Sequence, residues 1–384
     1  MRIEDVQAFA VVVPGGGVHA GGAGVTGGRT TERYSRVTPY RPLFPRQAET
    51  VFVRVRTDDG GEGWGECQAP VGGTAVARLV EEVVTPVIVG RDPLEPSVLE
   101  RAMYDAMRDR GHVGGFMLDA IAGVDIALWD LRGKHYGEPV ARILGGAFRE
   151  RVPLYLSGPR GDSVEERLED ATAFVEQGFG AVKLFVGRGV EADLAEVRLF
   201  RERFGDGGVA ILVDAHWQYP PADALRLGRG LEQLGVRWLE APIDPEDVAG
   251  HAALVAALDV PIALGETERT RFQVKPFLEQ RAVDVLQPDV GRCGVGEAVR
   301  IAELAEVFNV PVAIHCGVGF GPYIAASLQV AAAVPNLLYL EYQPDMHDLA
   351  GSVYGAEFHV EQGGLVIGEA AGLGIGGPPE SLLG

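Results

Sequence analysis

Asp214, Glu240, Glu266, Asp289, His315 and Glu341 each close a short, mainly apolar run, at successive separations of 26, 26, 23, 26 and 26 residues. The first three offer only oxygen donors. Three carboxylates without thiolate or imidazole suit a hard divalent cation, Mg²⁺ ahead of Mn²⁺ or Ca²⁺, and make zinc a poor fit. Gathered in one place, they would repel one another strongly without a cation between them. Asp289 and His315 form a different pair: a carboxylate beside an imidazole fixes its tautomer and raises its basicity, as in a general base. Acidic residues also begin βα loops as helix N-caps, which explains any one of the five acids but not all six positions in register. Lys183, in AVKLFVG, is one of three lysines in the chain, with Lys134 and Lys275. On a strand it shares a face with Phe185. His216, two residues past Asp214, can face the same cavity.

A residue that returns to one level about every 26 positions needs a repeating βα unit. From Val152 onward, strands are expected at Val152–Ser157, Ala181–Val186, Ala210–Val213, Arg237–Leu239, Pro261–Leu264, Val283–Leu286, Pro311–Ile314 and Leu337–Leu340, with amphipathic helices between them. Eight such strands favour a closed α/β barrel, whose active sites lie at the carboxyl ends of the strands. An open doubly wound sheet is the alternative, lowered by the lack of a GxGxxG turn. The earlier part reads as α+β. Strands are expected at Ile3–Val13 and Thr50–Arg56 around a glycine-rich loop, Gly15–Gly28, and helices at Thr74–Val84, Val98–Asp109 and Gly115–Arg132.

Composition narrows the partners. The 384 residues carry 54 acidic and 34 basic side chains, a formal charge of −20, with no Lys/Arg cluster to follow a phosphate backbone, so nucleic acid is not expected. A small anionic substrate must then be held by local cations. The three cysteines, Cys67, Cys293 and Cys316, lack CxxC spacing and point to a reducing, cytoplasmic setting. Glu4 and Asp5 interrupt any signal-peptide core, and Gly, Pro and polar residues break the uncharged run Cys316–Leu340, so neither export nor a membrane span is expected.

Together, WGEC at 64–67, GVDIALWDLRGK at 123–134, LVD, WLEAP and LGE at the strand ends, LQPDVGRCG at 286–294, AIHCG at 313–317 and LEY at 340–342 resemble the enolase superfamily, in its mandelate racemase subgroup. The resemblance covers nearly the whole chain. It implies a modified (β/α)7β TIM barrel, residues 131–350, under an α+β capping domain, residues 1–130, completed by segment 351–384. It further implies Mg²⁺ on Asp214, Glu240 and Glu266, a base dyad of His315 and Asp289, and Glu341 as a neutral donor to a substrate carboxylate. Racemases of this family carry Lys-x-Lys on the second strand, whereas this chain has Lys183-Leu184-Phe185, so the second base is missing. Asp214-Ala215-His216 resembles the acid-sugar dehydratases, notably galactonate dehydratase, in which the matching histidine protonates the departing hydroxyl. The expectation is a Mg²⁺-dependent dehydratase of an aldonate or aldarate, giving a 2-keto-3-deoxy acid through an enediolate. A racemase, epimerase or cycloisomerase, or a non-catalytic metal-binding barrel, are the alternatives. His19, Arg29, Arg33 and Tyr34 in the early loop are candidates to read the far end of the small carboxylate substrate, and a homo-oligomer is expected.

Overall fold

The computed structural model describes residues 1–13, 31–205, 208–355 and 358–383. The glycine-rich loop Gly15–Gly28, with His19, and the neighbouring Arg29 lie outside the described residues. Five strands come first: β1 (Ile3–Val12), β2 (Tyr34–Arg36), β3 (Leu43–Pro45), β4 (Glu49–Thr57) and β5 (Glu62–Cys67). They form an antiparallel sheet, β1-β4-β5, and a small β2-β3 ribbon. Barrel strands follow: β6 (Arg151–Ser157), β7 (Ala181–Phe185), β8 (Ala210–Asp214), β9 (Trp238–Glu240), β10 (Ile262–Leu264), β11 (Val285–Leu286), β12 (Val312–Ile314) and β13 (Leu337–Tyr342). Each pairs with its neighbour in chain order, and β13 returns to β6 through Leu340 to Leu154 and Glu341 to Tyr155. The eight strands are parallel, helices lie between them, and the barrel is closed. A hairpin, β14 (Val360–Glu361) and β15 (Gly364–Val366), lays β15 antiparallel on the first half of β6.

The period of two along each strand builds the site in layers. Tyr155, Ala181, Leu212, Trp238, Ala263, Val285 and Ala313 pack into one cluster inside the barrel. Two residues further along the same face stand Ser157, Lys183, Asp214, Glu240, Gln287 and His315. Outward residues such as Val213, Leu239 and Ile314 belong instead to the core under the helices. Glu266 and Asp289 fall outside this rule. On β10 the corresponding place is Gly265, at φ +137°, and on β11 it is Gln287, so each acid is delivered by a turn beyond its strand.

The cap is held by close backbone approach. Helix Phe116–Tyr136, whose last turns run past residue 130, lies directly on β5. A Cβ on Gly65 would sit 2.0 Å from the Gly123 carbonyl oxygen, and one on Gly63 2.2 Å from that of Ala127. Gly65→Ala is therefore expected to cost about 2 kcal/mol or more through overpacking and to lower the thermal midpoint by several degrees, measured by calorimetry. An unchanged midpoint would show that the helix can lift away. After β15 the chain turns back to the cap, where Leu373 N–H donates to Asp130 at 2.9 Å and Glu380 reaches Arg54 at 3.7 Å. The expected helix Thr74–Val84 is divided: an α-helix, Gly73–Leu79, passes into a π-helical turn, Val80–Val84, before Thr85–Ile88. No helix among the described residues is long and apolar enough to cross a membrane.

Candidate active site

A cavity of about 310 Å³ opens at the carboxyl ends of the barrel strands. Lys183, Asp214, His216, Glu266, His315 and Glu341 line it, with Glu240 buried beneath and Asp289 behind His315. The fully buried Lys183 ammonium lies 3.0 Å from Glu240, 2.9 Å from Glu341 and 3.5 Å from Asp214. Its faces are covered by the rings of Tyr155 and Phe185, at 5.3 and 5.4 Å. Burial works against that charge, but Glu240, Glu341 and Asp214 outweigh it and hold the lysine well above its ordinary pKa. Glu240 is pushed up to about 8 by burial and by the Asp214 charge, against the pull of Lys183. Its other oxygen accepts from Gln287 Nε2 at 2.7 Å.

His315 is clamped between carboxylates. Its Nδ1 lies 2.6 Å from Asp289 Oδ2, as the adjoining strand ends suggest, but its Nε2 lies 2.6 Å from Glu266 Oε2. Burial alone would lower the imidazole pKa. Glu266, Glu341 and Asp289 reverse this and leave it well above the ordinary value. A base acting through Nε2 requires the Glu266 contact to open.

The turn after β8 brings His216 to the cavity. His216 and Trp217 are both left-handed, at φ +48° and +55°, a costly conformation for two consecutive non-glycine residues. Asp214 Oδ1 steadies it by accepting the His216 backbone N–H at 2.9 Å, and the His216 Nδ1 lies 3.0 Å from the same oxygen. Burial lowers this imidazole's pKa, while Asp214 more than compensates and leaves it above the ordinary value. Aromatic neighbours surround it, Tyr40 at 5.0 Å and Phe185 at 5.2 Å between ring centres.

Glu341 differs from the neutral donor expected of it. Its oxygens accept from Ser157 Oγ at 2.5 Å and from the Cys316 N–H at 3.0 Å, beside Lys183. Burial raises its pKa, but Lys183 and His315 carry it below the ordinary value. It is an ionised acceptor. Tyr34 and Arg33 also sit elsewhere: the Tyr34 hydroxyl binds Glu49 at 3.0 Å and accepts the Gly72 N–H, Arg33 pairs with Glu49 at 2.9 Å, and neither lines the cavity. Tyr40, Leu43, Phe44 and Gln68 form the cap wall instead. Arg292 was not among the residues that spacing singled out. It lines the cavity, bonded to Gln68 Oε1 and to the Glu266 carbonyl at 2.8 and 2.9 Å. Its position in LQPDVGRCG, three residues past Asp289, is the only sequence signal for it.

The donor chemistry fits a hard cation: three oxygen-only side chains end adjacent strands, and one of them resists ionisation without further positive charge. As placed, they do not converge, and among the described residues no ready three-ligand cluster forms. Asp214 and Glu240 face Lys183, while Glu266 faces His315.

Residues 166–380 match the enolase C-terminal domain-like family, and residues 43–145 match the mandelate racemase / muconate lactonizing enzyme N-terminal domain. The chain belongs to the mandelate racemase group of the enolase superfamily. It is 34% identical over 345 residues to D-galactarolactone cycloisomerase of Agrobacterium fabrum, covering 86% of this chain and 89% of that one. It is also 34% identical to arabinonate dehydratase of Saccharolobus solfataricus, with the same coverage, 86% and 89%. A solved enolase-superfamily structure from Agrobacterium tumefaciens superposes with a TM-score of 0.94 at 31% identity, over 100% of this chain and 98% of that one.

Proposed function

We propose that this enzyme is a Mg²⁺-dependent dehydratase of an aldonic or aldaric acid, removing water by way of an enediolate to give a 2-keto-3-deoxy acid. The observation that carries the reading is the placement of two imidazoles, His216 after β8 and His315 after β12. Those strands are four apart in a ring of eight, so the two groups face each other across the mouth. Mg²⁺ on Asp214, Glu240 and Glu266 would supply charge neutralisation and Lewis-acid polarisation to a substrate carboxylate. His315 Nε2 takes the α-proton, with Asp289 holding Nδ1–H and so the tautomer. The Lys183 ammonium offsets negative charge developing on the substrate carboxylate. His216, protonated beside Asp214, hands a proton to the departing β-hydroxyl, and the enol left behind ketonises. Phe185 in the place of a second lysine supports chemistry begun from one face.

Named relatives with dehydratase and cycloisomerase activities keep a second reading in play. The apolar wall of Pro42, Leu43, Phe44 and Pro70 favours it, because a ring-closed sugar exposes fewer hydroxyls than an open polyol. A panel of aldonate and aldarate diastereomers, scored for 2-keto product with semicarbazide, tests the proposal. At least one acid is expected to give product, and EDTA should stop it. α-Deuterium exchange with changed optical rotation or lactone opening, and no 2-keto product from any acid, would establish the isomerase instead.

A further inference from the structure

The Asp289 carboxylate that orients His315 has a second partner on the same oxygen. Asp289 Oδ2 accepts from His315 Nδ1 at 2.6 Å and from the Tyr323 hydroxyl at 2.8 Å, and that hydroxyl in turn accepts the Gly317 N–H at 2.8 Å. The Tyr323 ring is fully buried and has no room to shift. A Cβ on Gly291 would stand 2.8 Å from one edge of it, and a Cβ on Gly319 2.1 Å from the other. The backbone that carries the ring is held from the cap. Glu66, on β5 and wholly buried, accepts the N–H groups of Phe320, Gly321 and Tyr323 at 3.1, 3.0 and 3.1 Å, and its fourth bond comes from Thr50 at 2.8 Å.

We propose that Tyr323 is a positioning residue for the base and that Glu66 holds it in place, so that the cap sheet completes a dyad belonging to the barrel. The inference rests on His315 acting as the base. A carboxylate with one hydrogen bond can rotate about its Cβ–Cγ bond; a second donor on the same oxygen fixes its plane and keeps its lone pair aimed at Nδ1–H. That leaves Nε2 as the proton acceptor. Glu66 matters because the loop Gly317–Gly321 has three glycines, with Phe320, packed against Phe52, as its one fully buried side chain. Its buried carboxylate ties that loop and the first turn of helix Pro322–Ala333 to β5.

Tyr323→Phe removes the hydroxyl and keeps the ring between the glycines. The expected result is a fall of about 10- to 100-fold in kcat and in α-proton exchange, with KM within about 2-fold, as for other groups that orient a functional imidazole. In an Asp289→Asn background the same substitution should cost little more, because the two act through one bond. A readout independent of turnover is the His315 Nδ1 proton, observed by NMR in ¹⁵N-histidine-labelled protein and assigned by its loss in His315→Asn. It should move or broaden in Tyr323→Phe, and more mildly in Glu66→Gln. A resonance that neither moves nor broadens in Tyr323→Phe overturns the proposal, as does kcat at the parent level or a full additional loss in the Asp289→Asn background. If the parent protein exchanges no acid at all, the functional reading fails instead, and the resonance alone decides the positioning role.

Discussion

His315→Asn is expected to abolish α-proton exchange and 2-keto formation together, by about 10³-fold or more, because it removes the group that opens the reaction. Nothing nearby replaces it. Position 185 is phenylalanine, and the Lys183 ammonium is held by three carboxylates that keep it protonated. His216→Asn should part the two steps: the α-proton still leaves, so deuterium still enters the substrate, while 2-keto product falls by about 10²-fold, the usual contribution of a placed acid. Asparagine suits this position. It tolerates the left-handed conformation at φ +48°, and the bond that Asp214 accepts there comes from backbone N–H, so the turn survives the change. Both variants are to be run in D₂O on one acid that the parent dehydrates. Parent-rate dehydration by His216→Asn, or exchange by His315→Asn, would break the assignment of acid and base.

The barrel and the level of its site were legible because a βα repeat has a nearly fixed length and a strand has a period of two. Asp214, Glu240, His315 and Glu341 therefore sit two residues above the floor of their strands, at spacings countable in the chain. Glu266 and Asp289 break the rule without showing it in the count: they lie one and two residues past the level positions Gly265 and Gln287, yet each keeps a 26-residue step to Glu240 or His315. What the chain did not reveal depends on contacts across the barrel. Lys183 could be seen as a lone buried lysine, but not that three carboxylates share it. Glu266 could be placed at a strand end, but not turned onto the base. Glu341 ends its strand in the chain as a possible donor, but its contacts with Ser157, the Cys316 amide and Lys183, all donors to it, come from three other elements. β5 was visible as the WGEC motif and not as a strand. Gly63 and Gly65 weaken its β pattern, although their missing side chains are what admit the neighbouring helix. Tyr323, Glu66 and Arg292 join cap to barrel, and no periodicity connects residues 66 and 323.

Glu240→Gln carries the test of the cation. Loss of one anionic oxygen from a set with no nitrogen or sulfur donors should remove activity at ordinary Mg²⁺ concentrations, and excess EDTA should do the same to the parent. Stability should move the other way. Without metal, Glu240 in the folded chain is pushed up to about 8 from its ordinary 4.5, chiefly by burial and by Asp214. Between those values the folded chain holds a proton that the unfolded chain has released, so this group's contribution is present at low pH and lost as pH rises toward 8. Glutamine resembles the protonated acid and does not titrate, and Gln287 can turn its amide to match it. In EDTA the variant should therefore equal the parent near pH 5 and exceed it by a few kcal/mol near pH 8.5, at about 1.4 kcal/mol per unit of displaced pKa. Added Mg²⁺ should raise the parent's midpoint by mass action and leave the variant's unchanged. Calorimetry of both proteins at the two pH values, with and without Mg²⁺, gives every comparison. A variant less stable than the parent at pH 8.5 in EDTA would mean that the Glu240 charge is needed to hold Lys183, and that repulsion among the carboxylates is already relieved without a metal.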